Sequence, residues 1–116
     1  MSSAATKLRC TPQEHLARER KSPTRNEYHN GEIFAMAAAS REHNLIAGNL
    51  YREIGNQIVD RPCEAYVNDM RVWIEATGLY TYPDVVVVCG EPQFQDSELD
   101  TLVNPTVLAE VLSPSP

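Results

Sequence analysis

Tyr82-Pro83-Asp84-Val85-Val86-Val87-Val88 is the stretch on which the fold turns. Four consecutive valines leave neither face of a strand polar. Val85 to Cys89 therefore reads as a central strand covered on both sides. A second apolar run, Thr106-Val107-Leu108-Ala109-Glu110-Val111-Leu112, predicts another strand with Glu110 in its middle. Asp84 stands at the mouth of the first run. Carboxylates in such places are costly to bury unless they are paired, neutralised or bound to a metal. If the two strands are neighbours, the two side chains converge on one hard cation.

The segments before the valine run supply the layers around it. Thr11-Pro12-Gln13-Glu14 is a capping box with proline at N1, which predicts a short helix to about Arg20. Glu27 to Met36 reads as a hairpin, because Asn30-Gly31 suits the two positive φ values of a type I′ turn. Ser40 is the expected N-cap of a helix from about Arg41 to Val59, with Ile46, Leu50, Ile54 and Ile58 as its apolar stripe. Gly48 and Gly55 weaken that helix and suggest a close approach to a sheet. Glu64 to Ile74 reads as a strand whose apolar parity changes at Asn68-Asp69, the mark of a bulge or bend. Ala76-Thr77-Gly78 is a turn, and Gly90 to Asn104 an acidic, solvated loop. The fold class is α+β (α/β-like): a mixed β-sheet with an N-terminal hairpin and a packed helix.

Bulk properties narrow the function. With 116 residues the chain makes one domain, and its 42% hydrophobic content excludes compositional disorder. Residues 1–10 are expected to be flexible and 11–116 to form the domain. No stretch reads as a membrane span or a signal peptide, which predicts a soluble, cytoplasmic protein. Cys10, Cys63 and Cys89 are scattered and odd in number, which argues against a disulfide framework and a zinc site. The net charge of −6 removes the basic footprint of a tight nucleic-acid binder. It leaves room for a nuclease, whose cation alters the local balance.

Both carboxylates have structural alternatives. Asp84 is also suited to hydrogen-bonding a neighbouring turn at the start of a strand. Glu110 is also suited to an ion pair with an arginine such as Arg71. As a pair they suit Mg²⁺, which takes one or two carboxylates, keeps waters and engages phosphate. That chemistry is hydrolysis of nucleic acid.

Tyr82-Pro83-Asp84 with the valine run, then Asn104-Pro105 before Glu110-Val111-Leu112-Ser113-Pro114-Ser115, resembles the Uma2 family of endonucleases, once a domain of unknown function. Arg25-Asn26-Glu27-Tyr28, Asn30-Gly31-Glu32-Ile33 and His43 agree with the same pattern, so the resemblance runs from about Thr11 to Ser115. It implies a restriction-endonuclease-like, PD-(D/E)xK core. It also implies Mg²⁺ (or Mn²⁺) as cofactor and DNA as substrate. Asp84 is then the aspartate of the PD pair, Glu110 the second acidic residue, and Val111 the donor of a backbone carbonyl to the metal. Glu32 and His43 join as candidate catalytic residues; Asp69 is a weaker third on separate grounds, because bulges often re-aim side chains beside active sites. The lysine of the pattern would fall at position 112, which is Leu112; family members carry it on the next helix. The resemblance therefore implies a truncated core lacking the C-terminal helix and strand. An uncovered face or edge would favour association between copies. Two functions follow: a metal-dependent DNA endonuclease impaired by the missing lysine, or a non-catalytic scaffold of the same fold.

Overall fold

The computed structural model describes the backbone of residues 2–5 and all of residues 9–112. Two sheets carry the chain. The larger is mixed and runs β1 (Ser2–Ala5), β3 (Glu32–Met36), β2 (Asn26–His29), β6 (Leu79–Thr81), β5 (Arg71–Ile74) and β8 (Thr101–Leu102). Only the β5–β8 pairing is parallel among these neighbours. The smaller is antiparallel, β4 (Cys63–Val67), β7 (Val85–Cys89) and β9 (Val107–Ala109). Helices α1 (Pro12–Glu19) and α2 (Arg41–Ile58) complete the α+β layers.

The valine run lies at the centre of the smaller sheet, with β4 on one side and β9 on the other. Val86 and Val88 pack on Val72 and Leu102 of the larger sheet. Val87, on the opposite parity, faces Ile54 and Ile58 of α2. Val85 to Val88 are each at most 5% exposed, so β7 is covered on both faces. Burial of this kind contributes roughly 1.5–3 kcal/mol per large apolar side chain.

The local signals near the N-terminus appear as read. Thr11 and Glu14 form a reciprocal capping box. Asn30 (φ 49°) and Gly31 (φ 87°) make the β2–β3 turn, where both residues need positive φ. Leu16 of α1 packs on Tyr28 and Tyr80, which seats that helix on the larger sheet.

Several expectations need correction. The stripe of α2 is rotated: His43 and Ala47 are buried, Leu50, Ile54 and Ile58 are half-buried, and Leu45 and Ile46 are exposed. Steps of four overshoot a 3.6-residue turn, so a stripe drawn through Ile46 drifts off the contact face. Gly48 and Gly55 meet nothing where a Cβ would stand, so neither serves a close approach. Glu64 to Ile74 is two strands in different sheets, and the parity change is the corner between them. Asn68 there has φ 65°. Leu79–Thr81, which carried no expectation from sequence, is a strand directly after the Ala76-Thr77-Gly78 turn. The acidic loop is not merely solvated, because Thr101–Leu102 enters the larger sheet and Asp96 and Asp100 both bind Arg20 at 2.8–3.1 Å. Cys63 and Cys89 face each other across β4 and β7 and are disulfide-bonded, leaving Cys10 as the free thiol. Spacing along the chain could not reveal that pair, since antiparallel register brings it together over 26 positions.

Candidate active site

Two of the chain's crossings between the sheets meet here: Asn68–Met70, from β4 to β5, and Tyr82–Asp84, from β6 to β7. The crossings touch, for the Asn68 amide donates to the Asp84 carbonyl at 3.1 Å. Asp84 therefore sits at the seam between the sheets, just ahead of the valine strand. The N-terminus of α2 reaches the same seam. Ser40 caps it by accepting the His43 amide at 3.1 Å, which fixes His43 in the first turn.

His43 Nε2 lies 2.8 Å from Asp84 Oδ1. An ionised carboxylate only accepts, so Nε2 carries the proton in this bond. Asp84 Oδ2 accepts the Val111 amide at 2.7 Å. Both carboxylate oxygens are thus engaged, and the side chain is held in one orientation. His43 is 9% exposed, which withdraws the bond from water and strengthens it.

The second contact explains where β9 stops. Ala109 is the last residue paired with β7, opposite Val85. Beyond Val85 the chain presents the Asp84 side chain, and that carboxylate takes the Val111 amide in place of a ladder carbonyl. Glu110 consequently lies just past the strand, not in its middle as expected, and β9 is a half-exposed edge: Val107 is 48% and Leu108 39% exposed. Burial of the Glu110 carboxyl raises its pKa, and the nearby Asp84 and Glu27 carboxylates push it the same way. The exposed part of Glu110 faces water, so this desolvation is partial.

The structure thus brings Asp84, His43, Val111 and Glu110 together. It does not bring Glu32, which lies at the opposite end of β3, across from His29, with Arg9 at 3.6 Å. Asp69 stands at the seam with its side chain largely exposed, 3.6 Å from Arg25. Arg71 does not pair with Glu110. It is buried, bonded to Tyr82 Oη (3.0 Å) and Thr101 Oγ1 (2.9 Å), and lies 3.3 Å from Asp100. Val111 offers its amide to Asp84, whereas the expected metal contact used its carbonyl. A cavity of about 250 Å³ opens beside Asp84 and His43, with Arg25, Ala38, Asn44 and Asn68 among its walls. Sequence reasoning gave Arg25, Asn44 and Asn68 no role at a site. The parity change at Asn68 was the available signal, for it marked the corner on which the cavity is built.

The donor set bears on a cation. Among the described residues no three His, Cys, Asp or Glu side chains are gathered as a cage. Two repelling carboxylates do suit a hard ion that needs only one or two of them and completes its shell with water. The chemistry of Asp84 and Glu110 therefore suits a hard divalent cation better than a soft one.

The family model Uma2, described as "Putative restriction endonuclease", matches residues 12–116. The chain belongs to the Uma2 family. Two proteins of Synechocystis sp., the uncharacterized proteins sll1609 and slr1290, are 43% and 33% identical to it. They match over 97% and 90% of this Uma2 chain, which spans 63% and 54% of their own lengths. A crystal structure titled as a "putative nuclease belonging to DUF820" from Anabaena variabilis superimposes with a TM-score of 0.64 at 21% identity. It covers 85% of this chain and 58% of that one. That likeness establishes the shared fold. No described helix of this Uma2 chain is long and apolar enough to cross a membrane.

Proposed function

We propose that the chain carries the acidic half of a metal-dependent nuclease site that hydrolyses phosphodiester bonds in DNA. The observation that supports this most is Asp84, held through both oxygens by His43 and the Val111 amide beside a second carboxylate, Glu110. A bound Mg²⁺ or Mn²⁺ would polarise the phosphoryl oxygen and lower the pKa of a ligated water. Asp84 and Glu110 would hold it. The protein's own contribution is orientation. His43 and Val111 keep the Asp84 carboxylate aimed, so no reorganisation is needed when substrate arrives. His43 keeps its proton on Nε2 through the same bond.

A second reading has its own support. No arginine or lysine among the described residues is in ion-pair contact with Asp84 or Glu110. Leu112, at the position where the nuclease pattern carries lysine, is 79% exposed. A site lacking that ammonium would bind cation and turn over slowly or not at all, as a scaffold of the same fold would.

Two measurements separate the readings. Calorimetric titration with Mn²⁺ should give binding by the wild-type chain that weakens at least about 10-fold in Asp84→Asn, since removing even a group that only supports a ligand costs that much. Equal binding by the two proteins sinks the metal site. Plasmid cleavage in Mg²⁺ that disappears in Glu110→Gln supports the enzyme. Cation binding with no cleavage by any of the proteins supports the scaffold.

A further inference from the structure

We infer that the cavity beside Asp84 is a subsite for one unpaired nucleobase of a nucleic-acid strand. The inference rests on the nuclease reading for its phosphate, which would lie over Asp84 and Glu110, and goes beyond it by naming the form of the substrate.

Charge is the first argument. The acidic groups at the cavity are Asp69 and Asp84; its basic groups are His43, bonded to Asp84 at 2.8 Å, and Arg25. That guanidinium is already engaged: it donates to the Asn68 carbonyl, lies 3.6 Å from Asp69 and sits 5.6 Å over the Tyr82 ring. A phosphate inside the cavity would therefore meet acidic charge with no uncommitted cation. A neutral, polar heterocycle meets no such penalty.

The walls are the second argument. Ala37, Ala38 and Ala39 present nothing larger than a methyl group along one side, an apolar surface on which a flat ring can lie. Asn44 and Asn68 also line the cavity, and neither side-chain amide makes a hydrogen bond among the described residues. Each amide offers two donors and an acceptor, the complement of a base edge. At about 250 Å³ the cavity falls just below the ~300–1,000 Å³ of sites for drug-sized ligands, a size fit for one heterocycle. Asn68 is held by its backbone at φ 65° and by the hydrogen bond its backbone N–H donates to the Asp84 carbonyl, so its place relative to Asp84 is fixed.

Geometry then restricts the substrate. A base stacked inside a duplex cannot enter a cavity, so the strand must be single or its nucleotide turned out of the helix. Single-stranded or distorted DNA is the expected preference over a regular duplex.

The test follows backbone amide signals by NMR during titration with 2′-deoxynucleosides and, separately, with inorganic phosphate, both without divalent cation. Nucleosides should move the signals of Ala38, Asn44 and Asn68, and phosphate should leave them in place. Ala38 is exposed, so Ala38→Phe fills the cavity without disturbing the core and should weaken single-stranded oligonucleotide binding at least about 10-fold by steric exclusion. Asn44→Ala, on the exposed first turn of α2, should weaken it about 3- to 10-fold, the worth of one net hydrogen bond. The subsite is overturned if nucleosides move none of the three signals, or if both variants bind the single strand as wild type does. Because no cation or cleavage enters these readouts, nucleoside binding without plasmid cleavage removes the nuclease reading alone. Cleavage without nucleoside binding removes the subsite alone.

Discussion

Acidification should destabilise this protein through His15, a residue remote from the candidate site. His15 is 1% exposed, and neither ring nitrogen has a hydrogen-bond partner among the described residues. Its ring stacks on Tyr28 at 4.9 Å and tilts against Tyr80 at 5.4 Å. Desolvation lowers its pKa, opposed by Glu19 and reinforced by Arg71 and Arg18. The native state therefore keeps the ring neutral at pH values where the unfolded chain, with a pKa near 6.5, takes up a proton. The sign follows: stability is full above about pH 6.5 and is lost as pH falls below it, down to the native pKa. Within that window the loss is up to about 1.4 kcal/mol per pH unit. His15→Phe keeps an aromatic ring between the tyrosines and removes the titration. Urea denaturation at pH 7.5 and pH 5.5 measures both proteins, and their difference cancels His29, His43 and the carboxylates. Wild type should lose about 1 kcal/mol more than His15→Phe across that interval. Equal losses would refute the reasoning, since His15 would then be protonated in the fold or reached by water.

Further outcomes follow from other parts of the fold. Gly48→Ala and Gly55→Ala should each raise stability by up to about 1 kcal/mol, because a Cβ there meets open space and the helix gains propensity; unchanged or lowered urea midpoints would show that α2 needs both glycines. Arg20, Thr101 and Arg71 hold Asp100 well below the usual carboxylate range, so that carboxylate stabilises the fold above about pH 4 and ceases to do so as pH falls through its native pKa. With the pair partly exposed and screened by solvent, Arg20→Gln should cost only about 1 kcal/mol at pH 7, and the cost should shrink in strong acid. A thiol assay on denatured, unreduced protein should find Cys10 reactive and Cys63 and Cys89 protected; three reactive thiols would remove the cross-strand bond. If the bond is present, adding reductant should cost about 3–4 kcal/mol for a loop closed over 26 positions.

Legibility in this chain followed the range of each interaction. The capping box at Thr11 and Glu14 and the Asn30-Gly31 turn are local chemistry, and both could be read directly. The valine run was legible because a strand covered on two faces has no polar parity. The parity change at Asn68 was visible as a fault, but its meaning was not. A bulge and a corner between sheets leave the same mark in sequence, and only the partners of β4 and β5 tell them apart. The Cys63–Cys89 bond was hidden for the same reason: it depends on register between β4 and β7, which no spacing rule carries.

Glu110 marks the boundary between what was readable and what was not. Its apolar neighbours in sequence placed it within a buried strand, and on that pattern alone an ion pair with Arg71 was a fair alternative. The pattern assumed that pairing continues as long as apolar residues do. Pairing in fact ends where β7 runs out of backbone to offer, at Val85 opposite Ala109. There Asp84 substitutes a side-chain acceptor for a carbonyl and draws the Val111 amide to itself at 2.7 Å. The carboxylate that starts one strand thus ends its neighbour. One consequence is structural: Asp84→Ala should free the Val111 amide, cost about 1–3 kcal/mol, and loosen the chain after Ala109. The other concerns the site. Glu110 is delivered beside Asp84 by a contact that Asp84 itself makes, so the two carboxylates are not independent. Amide exchange at Val111 should accelerate in Asp84→Ala and stay slow in Glu110→Gln. Equal protection in the two variants would mean that the pair is assembled by something other than Asp84.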